Sequence, residues 1–220
     1  MLKYFFLGLG FFCSAVVFAQ TVVPPFWDEI QAFKKEDSLQ PPPQNAILFV
    51  GSSSFQKWHD VQDYFPGYTL INRGFGGSSF PDLLRYAPDV IYPYQPKQVV
   101  IYCGDNDLAA SDSVTADTVY ARFVQLFGLI RSHLPKTSIA FVSIKPSPSR
   151  AHLMPKMKAA NARIRTFLRT KPRTAYIDVY SKMLLPNGRP QPQLFVEDSL
   201  HMNSNGYQIW KTQIKPALRN

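Results

Sequence analysis

Four short stretches of the chain carry side chains of the kind that make and break acyl bonds. Gly51-Ser52-Ser53-Ser54 offers hydroxyls beside a glycine, and Gly74-Phe75-Gly76-Gly77-Ser78 offers a backbone free to turn sharply and approach a ligand. Gly104-Asp105-Asn106-Asp107 adds an amide donor between two carboxylates. Glu197-Asp198-Ser199-Leu200-His201-Met202-Asn203 sets a carboxylate three residues before a histidine. At that spacing one turn presents both side chains to the same side, so the carboxylate can hold Nδ1–H while Nε2 faces a nucleophile. Singly, each stretch has a plainer reading: serine after glycine caps helices, Gly-Gly makes tight turns, and Asp-Asn-Asp or Asp-x-x-His occurs in exposed loops.

Their place in the chain argues against the plain reading. The first three stretches each follow an apolar run bounded by turn formers: Ala46 to Val50, Thr69 to Asn72 and Gln98 to Tyr102. Ser138 to Ile144 and Thr174 to Val179 are further runs of this kind, and all five read as buried strands. Between them, apolar residues recur three and four apart in Phe80, Leu83, Leu84 and Ala87, in Val119, Phe123, Phe127, Ile130 and Leu134, and in Met157, Ala160, Ile164 and Phe167. A last helix is expected from about Ser204 to Leu218, capped by Asn203 or Ser204, with Tyr207, Trp210 and Ile214 inward. The predicted class is therefore α/β, a three-layer α/β/α sandwich around a central, mostly parallel five-stranded sheet. In such sheets ligands bind outside the carboxyl ends of the strands, where three of the four stretches fall.

Composition narrows the rest. Met1 to Ala19 has Lys3, an apolar stretch and small residues ahead of Gln20, which predicts a signal peptide cleaved near Ala19 and an exported protein, periplasmic or secreted, without a stable membrane anchor. Residues 20–43 read as a Pro-rich segment with a short helix around Phe26 to Lys35, and the folded domain is expected over 44–220 after Pro41-Pro42-Pro43. The formal charge of +9 would favour acidic partners, yet the basic residues are scattered, so no nucleic-acid partner is expected. Cys103 follows a buried run and reads as an inert thiol. The histidines at 59, 133, 152 and 201 show no close metal-ligand spacing, so no metal is expected.

Taken together, the four stretches resemble the SGNH superfamily, the GDSL esterases and lipases, whose signature Ser, Gly, Asn and His lie in separate blocks in this order. The resemblance spans Ile47 to Trp210 and implies a flavodoxin-like fold with no cofactor. By position it places the nucleophile on Ser53, the acid and base on Asp198 and His201, and the oxyanion donors on the Ser53 and Gly77 backbone and Asn106. The family's Gly-Asp-Ser-Leu reads Gly-Ser-Ser-Ser here, so the choice among Ser52, Ser53 and Ser54 rests on Ser53 lying two residues after Gly51. The implied activity is hydrolysis of carboxylic esters, with short acyl groups on carbohydrate or other small substrates expected. Trp58, Phe80, Met202 and the Lys145 to Arg150 segment are candidate cleft walls, with Lys145 and Arg150 able to meet an anionic substrate. An acyltransferase using the same residues, or a non-catalytic exported glycan-binding protein, are the competing readings.

Overall fold

The computed structural model describes residues 23–220, so the expected signal peptide lies outside the described residues. In chain order the elements are α1 (Trp27–Leu39), β1 (Ile47–Gly51), α2 (Ser53–Gln56), α3 (Val61–Tyr64), β2 (Leu70–Gly74), α4 (Phe80–Val90), β3 (Gln98–Tyr102), α5 (Asp105–Ala110), α6 (Ala116–His133), β4 (Ser138–Val142), α7 (Met154–Arg169), β5 (Thr174–Ile177) and α8 (Ser204–Ile214). The strands form one sheet in the order β2-β1-β3-β4-β5. Every pairing is parallel, so the expected "mostly parallel" sheet is wholly so.

Alternation along the strands explains the three layers. Leu48 and Val50, Val99 and Ile101, and Ile139 and Phe141 face one core, which α1, α4, α6 and α7 cover. Ile47 and Phe49, Val100 and Tyr102, and Ala140 and Val142 face the other, covered by α2, α3 and α8. Because both faces are buried, β1, β3 and β4 are apolar almost throughout, which is why periodicity alone could place them. The second core is aromatic: Trp58 stacks on Tyr207 with centroids 4.7 Å apart, and Trp210 meets the Tyr102 ring at 4.8 Å. These contacts seat α8, and with it the residues just before it, against the end of the sheet from which α2 starts.

The N-terminal segment departs from expectation. The folded part does not begin near Gln44, because α1 belongs to the first core, with Ile30 fully buried in it. Asp37 of α1 also neutralises the buried Arg73 of β2: Nη2 lies 2.5 Å from Asp37 Oδ1, and Arg73 Nε donates to Tyr94 Oη at 2.7 Å. A buried arginine needs such a counter-charge even on the edge strand β2, so the prolines at 41–43 are a turn inside the domain rather than its boundary. Replacing Ile30 with Ala should therefore lower unfolding free energy by about 2–5 kcal/mol in urea denaturation, as for other buried isoleucines. A loss below about 0.5 kcal/mol would mean that α1 is peripheral.

Candidate active site

Parallel register brings the ends of three strands level. Gly51 of β1 pairs with Gly74 of β2 on one side and with Tyr102 of β3 on the other. Gly51 has φ +142° and a Cβ there would lie 1.8 Å from the Tyr102 carbonyl oxygen, so no other residue fits where the chain turns into α2. Ser52 N–H donates to that same carbonyl at 3.1 Å. Carbonyls within α2 are held from outside: Asn72 Nδ2 donates to Phe55 O at 2.7 Å and Tyr207 Oη to Ser54 O at 3.0 Å. Ser53, the first residue of α2, is thus fixed by β2, β3 and α8, and is partly exposed, whereas Ser52 and Ser54 are buried.

Ser53 Oγ lies 2.9 Å from His201 Nε2, across 148 residues of chain. On its other side His201 Nδ1 is 2.5 Å from Asp198 Oδ2. Asp198 Oδ1 accepts from the backbone N–H groups of Leu200 at 2.9 Å and His201 at 2.8 Å, a turn that Ser199 enables by adopting φ +54°. Partial burial works to raise the Asp198 carboxyl, but the His201 ring and these two N–H groups outweigh it and lower it to about 2. With the carboxylate accepting at Nδ1–H, Nε2 is the ring's lone-pair nitrogen and can receive the Ser53 proton.

Donors surround the same end of the sheet. Gly77 adopts φ +83°, the left-handed region that glycine favours, and among the described residues neither its N–H nor that of Ser53 has a hydrogen-bond partner. Asn106, in the first turn of α5, donates from Nδ2 to Ser78 O at 2.9 Å, which joins the β3 loop to the β2 loop. Asp107 holds the adjoining helix: its Oδ2 accepts from Phe80 N–H at 3.0 Å and its Oδ1 from Arg122 at 2.8 Å. Burial pushes the Asp107 carboxyl up despite these partners.

Of the suggested cleft walls, four need correction. Trp58 is fully buried in the second core, between Tyr64, Phe65 and Tyr207, and Met202 is 5% exposed in the same core. Lys145 is 1% exposed, with Nζ 3.1 Å from Asp105 Oδ2, so its charge is spent inside the protein and does not face a substrate. Phe80 is fully buried as well, against Phe123. Cys103 is buried and unpaired, and burial pushes its thiol well up. Among the described residues no group of three or more His, Cys, Asp or Glu side chains is arranged to hold a metal ion.

Two features were not anticipated. Phe26, from the N-terminal segment, lies beside the β2 loop: a Cβ on Gly77 would be 3.8 Å from its ring, which also meets Phe75 edge-on at 5.4 Å. Nothing in the sequence points to it, because the contact depends on where α1 docks. The second is a charge cluster of Asp105, Lys145 and Arg150 beside Asn106. A lysine closing a largely apolar run was its one visible signal, since a buried ammonium needs a carboxylate nearby.

Comparison with known proteins agrees with this architecture. The chain matches the GDSL-like Lipase/Acylhydrolase family over residues 46–209. A solved structure described as an acylhydrolase, from Bacteroides fragilis, superposes with a TM-score of 0.75 at 23% identity, covering 87% of this chain and 96% of that one. A GDSL-like lipase from Bacteroides thetaiotaomicron gives 0.73 at 22% identity, covering 86% and 96%. An acetylxylan esterase from Geobacillus stearothermophilus, solved as a catalytic mutant, gives 0.63 at 15% identity, covering 80% and 94%. No protein of curated function matches the chain. The chain belongs to the GDSL-like lipase/acylhydrolase family and is a hydrolase of ester bonds.

Proposed function

We propose that the protein is a serine esterase in which Ser53 forms the acyl-enzyme, His201 is general base and then general acid, and Asp198 orients His201. The observation that carries the reading is the continuous line from Asp198 Oδ2 through the His201 ring to Ser53 Oγ, with contacts of 2.5 and 2.9 Å. As Ser53 attacks an ester carbonyl, His201 Nε2 takes its proton and returns it to the leaving alcohol; water then releases the acid by the reverse path. The Ser53 and Gly77 N–H groups and Asn106 Nδ2 meet the negative oxygen, each donor worth about 10² to 10³ in rate.

For substrate, we infer a short acyl group carried on a larger and more exposed alcohol, such as an acetylated carbohydrate. The fold shared with an acetylxylan esterase is in keeping with an acetyl ester. Export by way of Met1 to Ala19 would bring the enzyme to extracellular polymers.

Four outcomes check the reading. Residues 20–220 should hydrolyse p-nitrophenyl acetate faster than the octanoate, and Ser53→Ala should lose at least about 10³-fold in kcat with an unchanged circular dichroism spectrum. Retained turnover in that variant would remove Ser53 from the chemistry. Asp198→Asn should lower kcat by as much as about 10⁴-fold through the wrong imidazole tautomer, with KM little changed. Because the Asp198 carboxyl is lowered to about 2, its contact with His201 stabilises the fold fully above about pH 4 and is lost as pH falls through 2. The difference in melting temperature between wild type and Asp198→Asn should accordingly shrink from pH 4 to pH 2; a difference constant over that range would show that the carboxylate contributes no titrating contact.

A further inference from the structure

Beyond the four sequence stretches, the chain leaving β4 runs on through Ser143 and Ile144 to Lys145 without reaching solvent. A lysine so placed requires a counter-charge, and Asp105, the first residue of α5, supplies it at 3.1 Å. The other oxygen of Asp105 takes Arg150 Nη1 at 2.5 Å. Burial works to raise the Asp105 carboxyl, but the two cations outweigh it and hold it below its usual value. One carboxylate between two cations leaves an excess of one positive charge at the site end of the sheet.

That excess bears directly on Asn106. The same Arg150 Nη1 donates to Asn106 Oδ1 at 3.1 Å, while Asn106 Nδ2 donates to Ser78 O at 2.9 Å. Only one orientation of the amide satisfies both neighbours. Rotated by half a turn, its NH₂ would face a guanidinium and its oxygen a carbonyl. The segment is anchored at its other side as well, since Ser149 N–H and Oγ both donate to Ser199 O, at 3.1 and 2.9 Å, and Ser199 lies between Asp198 and His201.

We propose that Arg150 is a positioning residue for ester hydrolysis, locking the Asn106 amide with its NH₂ end toward the oxyanion and strengthening it as a donor by drawing charge from Oδ1. The proposal rests on the reading of Asn106 as an oxyanion donor. Asp105 and Lys145 serve it in turn: the carboxylate fixes the guanidinium, and the lysine keeps the carboxylate ionised. A guanidinium suits the task because a single Nη1 can donate to two acceptors while the planar group stays in place.

A double-mutant cycle on p-nitrophenyl acetate tests it, using wild type, Arg150→Met, Asn106→Ala and the double variant. Lys145 still neutralises Asp105 in Arg150→Met, so that variant leaves no unpaired buried charge. Arg150→Met is expected to lower kcat about 10-fold with KM within about twofold, and to change kcat by less than about twofold once Asn106 is already Ala. If Arg150→Met fails to fold, Arg150→Lys replaces it in the cycle, with a smaller loss expected because an ammonium keeps the charge but lacks the planar fork that fixes the Asn106 amide. Equal losses in both backgrounds, or no loss in the Asn106 background of the wild type, would overturn the role of Arg150 alone. If Asn106→Ala itself cost nothing, the oxyanion reading would fall first and this proposal with it.

Discussion

Parallel pairing of β1 with both β2 and β3 is the constraint on which the site depends. It aligns Gly51, Gly74 and Tyr102 in one row, so the chain leaves three neighbouring strands at the same level and in the same direction. β1 lies between β2 and β3 in the sheet, which makes its carboxyl end the place where connections diverge to either side and a crevice opens. Ser53, the Gly77 loop and Asn106 are therefore neighbours because of strand register, not because of proximity in sequence. The close approach of Gly51 to the Tyr102 carbonyl fastens this row at its centre. His201 arrives separately, carried by α8, and its position depends on Tyr207 and Trp210 bedding into the aromatic core beneath α2.

The acidic residues around this edge divide by surroundings. Asp105 and Asp107 are buried and spend their lone pairs on Lys145, Arg150, Arg122 and the Phe80 N–H, which joins α4, α5 and α6 to the loop after β4. Asp198 is half-exposed and is held ionised by one imidazole and two backbone N–H groups. Only Asp198 touches a group able to move a proton to and from a serine. Lys145 and Arg150 thus place a cationic excess on one side of the edge, and the Asp198 carboxylate holds the His201 ring on the other.

Much of this was legible in the sequence, and for a definite reason. Strands buried on both faces are apolar throughout, so β1, β3 and β4 stand out, and the polar residues just beyond their ends mark the site edge. Asp198-x-x-His201 is legible because its partner lies within one turn. Trp58, Met202 and Lys145 were not, since a residue near the motif in sequence can point into the core as readily as into a cleft; α8 stacks Tyr207 on Trp58, and Asp105 reaches Lys145 across 40 residues. The role of α1 was hidden for the same reason: the Asp37–Arg73 pair spans 36 residues and leaves only a proline run to read. Long-range ion pairs and docking faces depend on assembled geometry, which local periodicity does not encode.

The central claim is that the acyl group passes through Ser53. The most direct measurement is acid quenching of the enzyme during turnover of an acetyl ester, followed by proteolysis and mass spectrometry of the peptides. An acetyl group on the peptide containing Ser53, and nowhere else, is the predicted result, with a longer-lived adduct in a His201→Ala variant that has been acylated by a reactive ester. Acetylation at another residue, or sustained turnover with no covalent species at any quench time, would contradict the account.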